Sequence, residues 1–125
     1  MQRTFTINAP LIAVWDALAT GAGFSAWSNS ETSMDETEGG AISLWGGQVI
    51  GKNLKINPQK ELTQEWDFGW EEPSLATFTF SFDELSKTTK VELRHSNVPS
   101  TEYKDIFTGW DKEVFDPIKD FLKKD

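Results

Sequence analysis

His95 is the only histidine in the 125-residue chain, and the chain contains no cysteine. A zinc or copper site built from paired imidazoles or thiolates is therefore excluded. A serine nucleophile would need His95 together with a serine and a carboxylate, yet the sequence has no Gly-x-Ser-x-Gly turn of the kind that exposes such a serine. We therefore predict no catalytic residue, no metal site, no cofactor and no enzyme activity.

Two stretches have the composition of a ligand site but not the spacing of one. The first, residues 29–38, holds four carboxylates: Glu31, Asp35, Glu36 and Glu38. It lacks the alternating aspartates and the closing glutamate of a calcium loop, so we interpret it as a solvated acidic segment. The second comprises Gly39-Gly40 and Gly46-Gly47, neither of which opens a helix with a following lysine as a phosphate loop does. We interpret the glycine pairs as turns.

Three polar residues occupy positions from which they can face a cavity. Gln64 interrupts an apolar row of a predicted strand, His95 shares the inward parity of its strand, and Tyr103 begins the apolar stripe of a predicted helix. Each also has a purely structural interpretation. A buried amide or imidazole is usually satisfied within the protein, and a tyrosine often packs its ring while its hydroxyl stays in water. The sequence leaves both interpretations open.

The chain is rich in apolar rings, with 6 Trp and 9 Phe against 1 Tyr. Each such ring buries about 150 to 250 Å² when it is packed, so these residues must form a core or line a pocket. Both interpretations remain open, because pocket walls are themselves mostly apolar and aromatic. The predicted lining of a ligand cavity comprises Trp27, Gln64, Trp66, Phe78, Phe80, His95, Tyr103 and Trp110.

The N-terminal part of the chain predicts a strand followed by two short helices. Residues 3–7 alternate apolar and polar side chains, as a half-buried strand does. Pro10 suits the first position of a helix, and residues 11–18 carry apolar side chains at helical spacing. Residues 23–27 are predicted as a second helical turn, and residues 29–38 as a weak edge strand or a loop.

The middle of the chain predicts antiparallel strands. Residues 41–45 and 48–50 are predicted as two strands joined by the two-residue turn Gly46-Gly47, with the second strand continuing to residue 57. Three further segments alternate apolar and polar residues, as half-buried strands do. These segments are residues 60–68, 74–82 and 89–95.

The C-terminal part switches to helical periodicity. From Tyr103 onward the apolar residues form one stripe along about five turns of helix. The stripe consists of Ile106, Phe107, Trp110, Val114, Ile118, Phe121 and Leu122. Ser100 or Thr101 can cap the start, and Lys123 and Lys124 complement the helix dipole at the end. Pro117 lies inside the pattern, so we predict a kink or a local break there.

The order of these elements predicts an α+β fold. An antiparallel meander covers only one face of its core, so the long helix must cover the other. We predict one domain over residues 1–125 with a helix-grip architecture: a curved antiparallel β-sheet wrapped around a long C-terminal α-helix, with two short helices after the first strand. A cavity between the sheet and this helix is the predicted small-molecule site.

The charge balance excludes several partners. Twenty acidic residues against 12 Lys and Arg leave a net charge of −8, which repels phosphate backbones and anionic lipid surfaces. The longest apolar run, residues 11–15, is far shorter than the ~20 residues that cross a bilayer. The N-terminus alternates where a signal peptide would run apolar. We therefore predict no nucleic-acid partner, no membrane insertion and a cytoplasmic location.

A series of packing and turn residues resembles the START-like (SRPBCC) superfamily. In order along the chain, the series is Ala9-Pro10, Val14-Trp15, Ala17-Leu18, Trp27, Gly39-Gly40, Gly51, Pro58, Leu62, Trp66, His95-x-x-Val98-Pro99 and Gly109-Trp110. Within this superfamily, the chain resembles the family named after the C-terminal domain of the activator of the heat-shock protein 90 ATPase.

The resemblance implies two main functions. Members of the superfamily bind lipids, sterols, polyketides or plant hormones, which implies a non-enzymatic domain that holds an apolar or amphipathic ligand in its cavity. The family itself implies a protein-interaction module that acts beside a chaperone in the stress response. The eukaryotic co-chaperone of this family makes much of its chaperone contact through a separate N-terminal domain, for which this chain is too short. Cyclase and aromatase relatives imply a third function, with His95 as the acid or base.

Overall fold

Seven antiparallel strands form one sheet in the computed structural model, which describes residues 1–123. The strands are β1 (Gln2–Ile7), β2 (Ser33–Met34), β3 (Ala41–Leu44), β4 (Val49–Asn57), β5 (Glu61–Asp67), β6 (Ser74–Asp83) and β7 (Thr88–Ser96). Their order across the sheet is β1-β7-β6-β5-β4-β3-β2. Strands β2 to β7 therefore form the predicted meander, and β1 joins it beside β7.

Two short helices, α1 (Leu11–Ala19) and α2 (Gly21–Ser28), follow β1, and a long helix, α3, ends the fold at residues 103–122. Helix α3 has three parts: an α-helical part, Tyr103–Gly109, a π-helical part, Trp110–Phe115, and a second α-helical part, Asp116–Leu122. The predicted helix-grip α+β architecture is confirmed. Lys124, predicted to complement the helix dipole, lies outside the described residues.

The core lies between the sheet and the helices. The predicted alternation places one side of each long strand inward, so that Leu62, Phe78 and Leu93 are fully buried. Rings from α3 pack onto this face: Trp110 meets Phe78 with ring centroids 5.8 Å apart, and Phe115 stacks on Phe5 of β1 at 3.8 Å. Burial of the apolar stripe of α3 thus joins the helix to both the centre and the edge of the sheet.

The connection between β3 and β4 differs from the predicted two-residue glycine turn. The last paired residues are Leu44 and Val49, so four residues, 45–48, form the connection. The chain already turns at Trp45, whose φ of +50° is in the left-handed region, and both glycines continue with positive φ. A bulky residue rarely adopts this conformation, which is why the glycine pair alone suggested a tighter turn.

The start of α1 and the segment after α2 also differ in detail from the predictions. Pro10 precedes the helix as its N-cap, with an extended ψ of 151°, instead of occupying the first helical position. The segment predicted as a weak strand or a loop is mostly loop. Within it only Ser33 and Met34 form a strand, paired with Ser43 and Ile42 of β3.

The irregularity predicted in α3 at Pro117 lies just before that residue. The N–H of Asp116 donates to the carbonyl of Asp111, five residues earlier, which is the hydrogen bond of a π-helix. Pro117 then follows in the first turn of the second α-helical part. Since proline has no N–H and clashes with the preceding turn of a regular helix, a widened turn ahead of it allows the helix to continue. The predicted cap is absent: Glu102 precedes α3 and no side chain caps the helix there.

Candidate functional site: an aromatic cavity beneath the C-terminal helix

A cavity of about 410 Å³, open to solvent, lies between α3 and the end of the sheet where β3 turns into β4 and β5 ends. The sheet side contributes Trp45, Gln48, Val49, Trp66 and Phe68, and α3 contributes Asp105, Ile106, Gly109, Trp110, Glu113 and Val114. The volume lies within the range of about 300 to 1,000 Å³ that small-molecule pockets occupy. This is the position predicted for a ligand cavity, between the sheet and the long helix.

Three indole rings form the apolar wall of the cavity. Trp66, on the inward side of β5, lies at the centre, with ring centroids 5.8 Å from Trp45 and 5.0 Å from Trp110. Trp45 reaches this position because the chain turns at its own backbone, and Trp110 because it begins the π-helical part of α3. Phe68, just beyond β5, extends the wall at 6.1 Å from Trp66. Ring faces and edges therefore meet at angles typical of packed aromatic pairs.

A chain of hydrogen bonds fixes Trp110 from behind. Its Nε1 donates to Nδ1 of His95 over 3.1 Å, and Nε2 of His95 lies 2.8 Å from Oγ of Ser74. The Ser74 hydroxyl donates to the carbonyl of Trp66 over 2.8 Å. Since the single hydroxyl proton is used in that bond, Ser74 accepts from His95, which places the imidazole proton on Nε2. His95 is thus a neutral acceptor for the indole.

Burial keeps His95 in this neutral form. The side chain is 1% exposed, and desolvation lowers its pKa to about 4, with a smaller contribution from the positive charge of the N-terminal ammonium. That ammonium donates a hydrogen bond to the backbone carbonyl of His95 over 3.0 Å. Protonation at Nδ1 would remove the acceptor that Trp110 uses, so the neutral imidazole holds α3 onto β7.

A second chain of hydrogen bonds fixes Trp66. Its Nε1 donates to Oε1 of Gln64 over 2.8 Å, and Nε2 of Gln64 donates to Oδ1 of Asn53 over 2.9 Å. Asn53, which is fully buried, donates from Nδ2 to the carbonyl of Asp35 over 2.8 Å. Strand β4 changes register against β5 just after Asn53, between residues 53 and 55. Both indole N–H groups are therefore used inside the protein, and the rings face the cavity with their apolar surfaces.

Of the eight residues predicted to line the cavity, the structure brings two together there, Trp66 and Trp110. Gln64 and His95 lie behind these rings as their hydrogen-bond acceptors. Tyr103 is 44% exposed and stacks on Phe107 near the start of α3. The structural interpretation of these three polar residues therefore agrees with their surroundings.

The other three predicted residues fill the core. Phe80 packs edge to face on Trp15 of α1, and Phe78 is fully buried against Trp110. Trp27 of α2 donates from Nε1 to the carbonyl of Ala17 over 2.7 Å. These three residues, like Gln64, His95 and Tyr103, do not belong to the lining of this cavity. Alternation along a strand determines which face of the sheet a side chain occupies. It does not determine whether an inward ring is packed in the core or lines a cavity.

Among the lining residues that were not predicted from the sequence are Trp45, Phe68 and two carboxylates of α3, Asp105 and Glu113. The carboxylates stand eight residues apart, which at 3.6 residues per turn places them about 80° apart on one broad face of a helix. Each carboxylate lies four residues from Gly109. Two acidic residues in the same helical row as a glycine, beside the apolar stripe, were therefore the signal that the sequence contained. Trp45 carried a different signal, because a large ring next to a glycine pair lies at a turn and can reach across the end of a sheet.

The π-helical part of α3 coincides with the cavity. Trp110, Glu113 and Val114 belong to it, and Gly109 directly precedes it. An extra residue in one helical turn changes the direction of every side chain that follows, and such turns are frequent at functional sites. The helix is therefore irregular at the place where it forms the roof of the cavity.

Within residues 1–123, no three or more His, Asp or Glu side chains are grouped so that they could hold a metal ion. Every buried side-chain nitrogen or oxygen atom of the described residues has a hydrogen-bond partner. None of the helices in the described part of the chain is long and apolar enough to cross a membrane. The polar groups that the cavity offers are Gln48, Asp105 and Glu113 at its mouth.

The family model described as "Activator of Hsp90 ATPase homolog 1-like protein" matches residues 8–123. The chain belongs to this family. The predicted family is thereby confirmed, and its description names an activator of the Hsp90 ATPase. The match includes all the strands from β2 to β7 and the whole of α3.

Individual relatives agree with this assignment. The "Activator of 90 kDa heat shock protein ATPase homolog" of Dictyostelium discoideum is 32% identical over 97 residues, which are 75% of this chain and 25% of the relative. The crystal structure of an HSP90 activator from Plasmodium falciparum has a TM-score of 0.85 and 23% identity, covering 98% of this chain and 94% of that one. The crystal structure of CalU16 from Micromonospora echinospora has a TM-score of 0.84 and 24% identity, covering 98% and 73%.

These similarities have different weight. The two structural neighbours, at 23% and 24% identity, show the fold alone. The chain spans only 25% to 36% of the length of the curated relatives that it matches. The activities of those longer proteins therefore do not pass to this domain by similarity.

Proposed function

We propose that this domain binds a small apolar or amphipathic molecule in the cavity beneath α3. The observation that carries the proposal is the solvent-open cavity of about 410 Å³ lined by Trp45, Trp66 and Trp110, of which Trp45 is half-buried and the other two are 2% exposed. Apolar surface of this kind is unfavourable in water, and a concave aromatic wall with few polar groups at its mouth is typical of ligand sites.

We propose further that the domain binds its ligand without catalysis. A general acid or base must reach the substrate, but His95 lies behind the ring of Trp110 with both nitrogens engaged. The two carboxylates of the lining, Asp105 and Glu113, are exposed to solvent. Incubation with candidate esters or polyketides, analysed by mass spectrometry, should show bound compounds that are chemically unchanged.

The test of binding uses the cavity rings as reporters. Octyl glucoside, kept below the concentration at which it forms micelles, should raise the melting temperature and change the tryptophan fluorescence in a saturable manner. Gly109→Leu should abolish both effects, because an added Cβ at residue 109 meets open space at the cavity and a longer side chain can fill it. Gly109→Ala is the matched control and should still bind. Absence of saturable binding to the unmodified chain, with native mass spectrometry showing no retained compound, would contradict the proposal.

A second candidate function is association with a chaperone. The family description and the relative from Dictyostelium discoideum both name an activator of the heat-shock protein 90 ATPase. The net charge of −8 favours a partner with a basic surface, and such binding weakens as salt screens the charges. A pull-down with a chaperone ATPase of this class should retain the domain at low ionic strength and less of it at physiological ionic strength. Failure to retain it at either would count against this function.

We also propose that residues 1–125 act as one domain in the cytoplasm. One buried cluster joins β1, α1 and α3, for example through Phe5, Trp15 and Phe115. Limited proteolysis should leave this unit intact, and cell fractionation should recover it in the soluble fraction. A stable fragment cut between α2 and β3 would contradict the single-domain assignment.

A further inference from the structure

The charged groups at the mouth of the cavity are both carboxylates. Asp105 and Glu113 line it from α3, separated by eight residues or about 12 Å along the helix axis. Neither has an ion-pair partner among residues 1–123. Asp111 of the same helix differs, because the guanidinium of Arg3 binds both of its carboxylate oxygens, at 2.9 and 2.8 Å. Two negative charges therefore remain uncompensated at the mouth.

The rest of the cavity adds no positive charge. No lysine, arginine or histidine belongs to its lining in the described part of the chain, and the chain as a whole carries a net charge of −8. An anionic ligand would meet like charges at the mouth and a negative field around it. The electrostatics of the site therefore discriminate against carboxylate and phosphate ligands.

The wall of the cavity has the same preference. Indole and phenyl rings carry negative charge density on their faces and attract a cation within about 6 Å of the ring centroid, tryptophan most strongly. Four such rings line the cavity together with the two carboxylates: Trp45 and Phe68, which are half-buried, and Trp66 and Trp110, which are 2% exposed. The same wall is apolar and accommodates a hydrocarbon or aromatic tail. The carboxylates thus favour a cationic group, and the rings favour an apolar tail of the same molecule.

Building on the ligand-binding function proposed above, we propose that the occupant is a cationic amphiphile. Its apolar part lies on the rings of Trp45, Trp66 and Trp110. Its quaternary or protonated ammonium group lies at the mouth, where Asp105 and Glu113 compensate its charge. The negative charge at the mouth selects for a cationic head group, and the apolar rings of the interior select for a hydrocarbon or aromatic tail.

The experiment compares three probes with one tail and different head groups. These are octyltrimethylammonium, which is cationic, octyl glucoside, which is neutral, and octanesulfonate, which is anionic, each below its micelle-forming concentration. Tetramethylammonium supplies the head group without a tail. Titration followed by tryptophan fluorescence should give the tightest binding for octyltrimethylammonium, about ten-fold tighter than octyl glucoside, the gain expected from exposed ion pairs and ring faces acting together. Octanesulfonate should bind most weakly.

Substitutions locate the effect. Asp105→Asn and Glu113→Gln should each weaken octyltrimethylammonium about two- to five-fold, as exposed ion pairs do, and leave octyl glucoside unchanged. Asp120→Asn removes the same charge from an exposed residue of α3 outside the cavity lining and should have no effect. Gly109→Leu should abolish binding of the cation as well as the neutral probe. Added salt should weaken only the cationic probe.

The possible results distinguish this inference from the ligand-binding function on which it rests. If the neutral and anionic probes bind as tightly as the cation, the charge preference is wrong and the ligand-binding function stands. If none of the octyl compounds binds, both are wrong. Tetramethylammonium binding as tightly as octyltrimethylammonium, or tight binding of the cation to Gly109→Leu, would place the interaction on the outer surface and overturn the inference.

Discussion

The two ends of the interface between α3 and the sheet are built differently. At one end Phe115 is fully buried and stacks on Phe5, and Arg3 of β1 reaches across to Asp111 and to the carbonyl of Phe107. At the other end Trp110 packs on Phe78 and donates a hydrogen bond to His95, and a cavity open to solvent lies beside its ring. The end of this interface at β1 therefore stabilises the fold, and the end at β5 leaves space for a ligand.

The largest test of this comparison is the removal of a ring at each end. Phe115→Ala deletes a fully buried ring and should lower the free energy of unfolding by about 3 to 5 kcal/mol. Phe68→Ala removes a half-buried ring from the cavity wall and should lower it by about 1 kcal/mol, because solvent already reaches the site. Urea denaturation measures both. Equal losses would mean that the cavity end is as well packed as the other.

Acidification tests the cavity end of the interface, where His95 accepts the hydrogen bond of Trp110. The folded pKa is about 4 and the ordinary value is 6.5, so between these values the unfolded chain binds a proton that the folded chain does not. Stability supplied by neutral His95 is therefore complete above pH 6.5 and falls by about 3 kcal/mol as the pH drops to 4.

The measurement is the pH dependence of urea denaturation from pH 7 to 4. His95→Gln retains an acceptor for Trp110 and a donor for Ser74 but does not titrate, so it should lose this part of the pH dependence. The carboxylates are the same in both proteins, so the difference between the two curves measures the contribution of the His95 imidazole to the free energy of unfolding. Identical curves would show that His95 is accessible to protons in the folded state.

A smaller effect is expected from the ion pair between Arg3 and Asp111 at the packed end. Arg3→Ala removes two bonds to Asp111 and should destabilise the fold by about 1 kcal/mol, since one partner is 39% exposed and water screens the pair. Lys90→Ala breaks an exposed pair with Glu92 at 3.8 Å and should have almost no effect. A double-mutant cycle of Arg3 and Asp111 measures the coupling. A coupling energy no larger than that of the Lys90–Glu92 pair would show that the Arg3–Asp111 pair does not stabilise the packed end.

The smallest effect is expected from Gly109, which lines the cavity from α3. Its φ of −62° and ψ of −34° are helical, and an added Cβ meets no atom within 4 Å. Gly109→Ala should therefore raise the free energy of unfolding by about 0.5 to 1 kcal/mol, because alanine loses less backbone entropy in a helix. Thermal denaturation measures the change. Destabilisation would indicate that the cavity is closed around residue 109 in solution.

The sequence predicted the fold well because its strongest signals are periodic. Alternation over residues 60–68, 74–82 and 89–95 and the long helical stripe correspond to β5, β6, β7 and α3. The turn at Trp45 escaped prediction because it depends on a bulky residue with positive φ, which local preferences disfavour. The π-helical part of α3 escaped because a single extra residue in one turn leaves the periodicity on either side recognisable.

The site was predicted in position but only partly in composition. Parity correctly placed Trp66, Gln64 and His95 inside, yet it contains no information on which polar groups face a cavity and which face an indole N–H. That distinction depends on partners far apart in the chain, such as Asn53 and Ser74. The carboxylates at the mouth looked like ordinary surface residues, because only the position of α3 over the sheet brings them to the cavity.

The pairing of β1 with β7 has a consequence for how the protein is made. Gln2 lies beside Arg94 in the sheet, and Arg3 binds a residue 108 positions further along the chain. The first strand emerges from the ribosome long before either partner exists, and contacts of such separation form slowly. Its alternating apolar side chains are therefore accessible to chaperones or to aggregation until β7 and α3 have been translated.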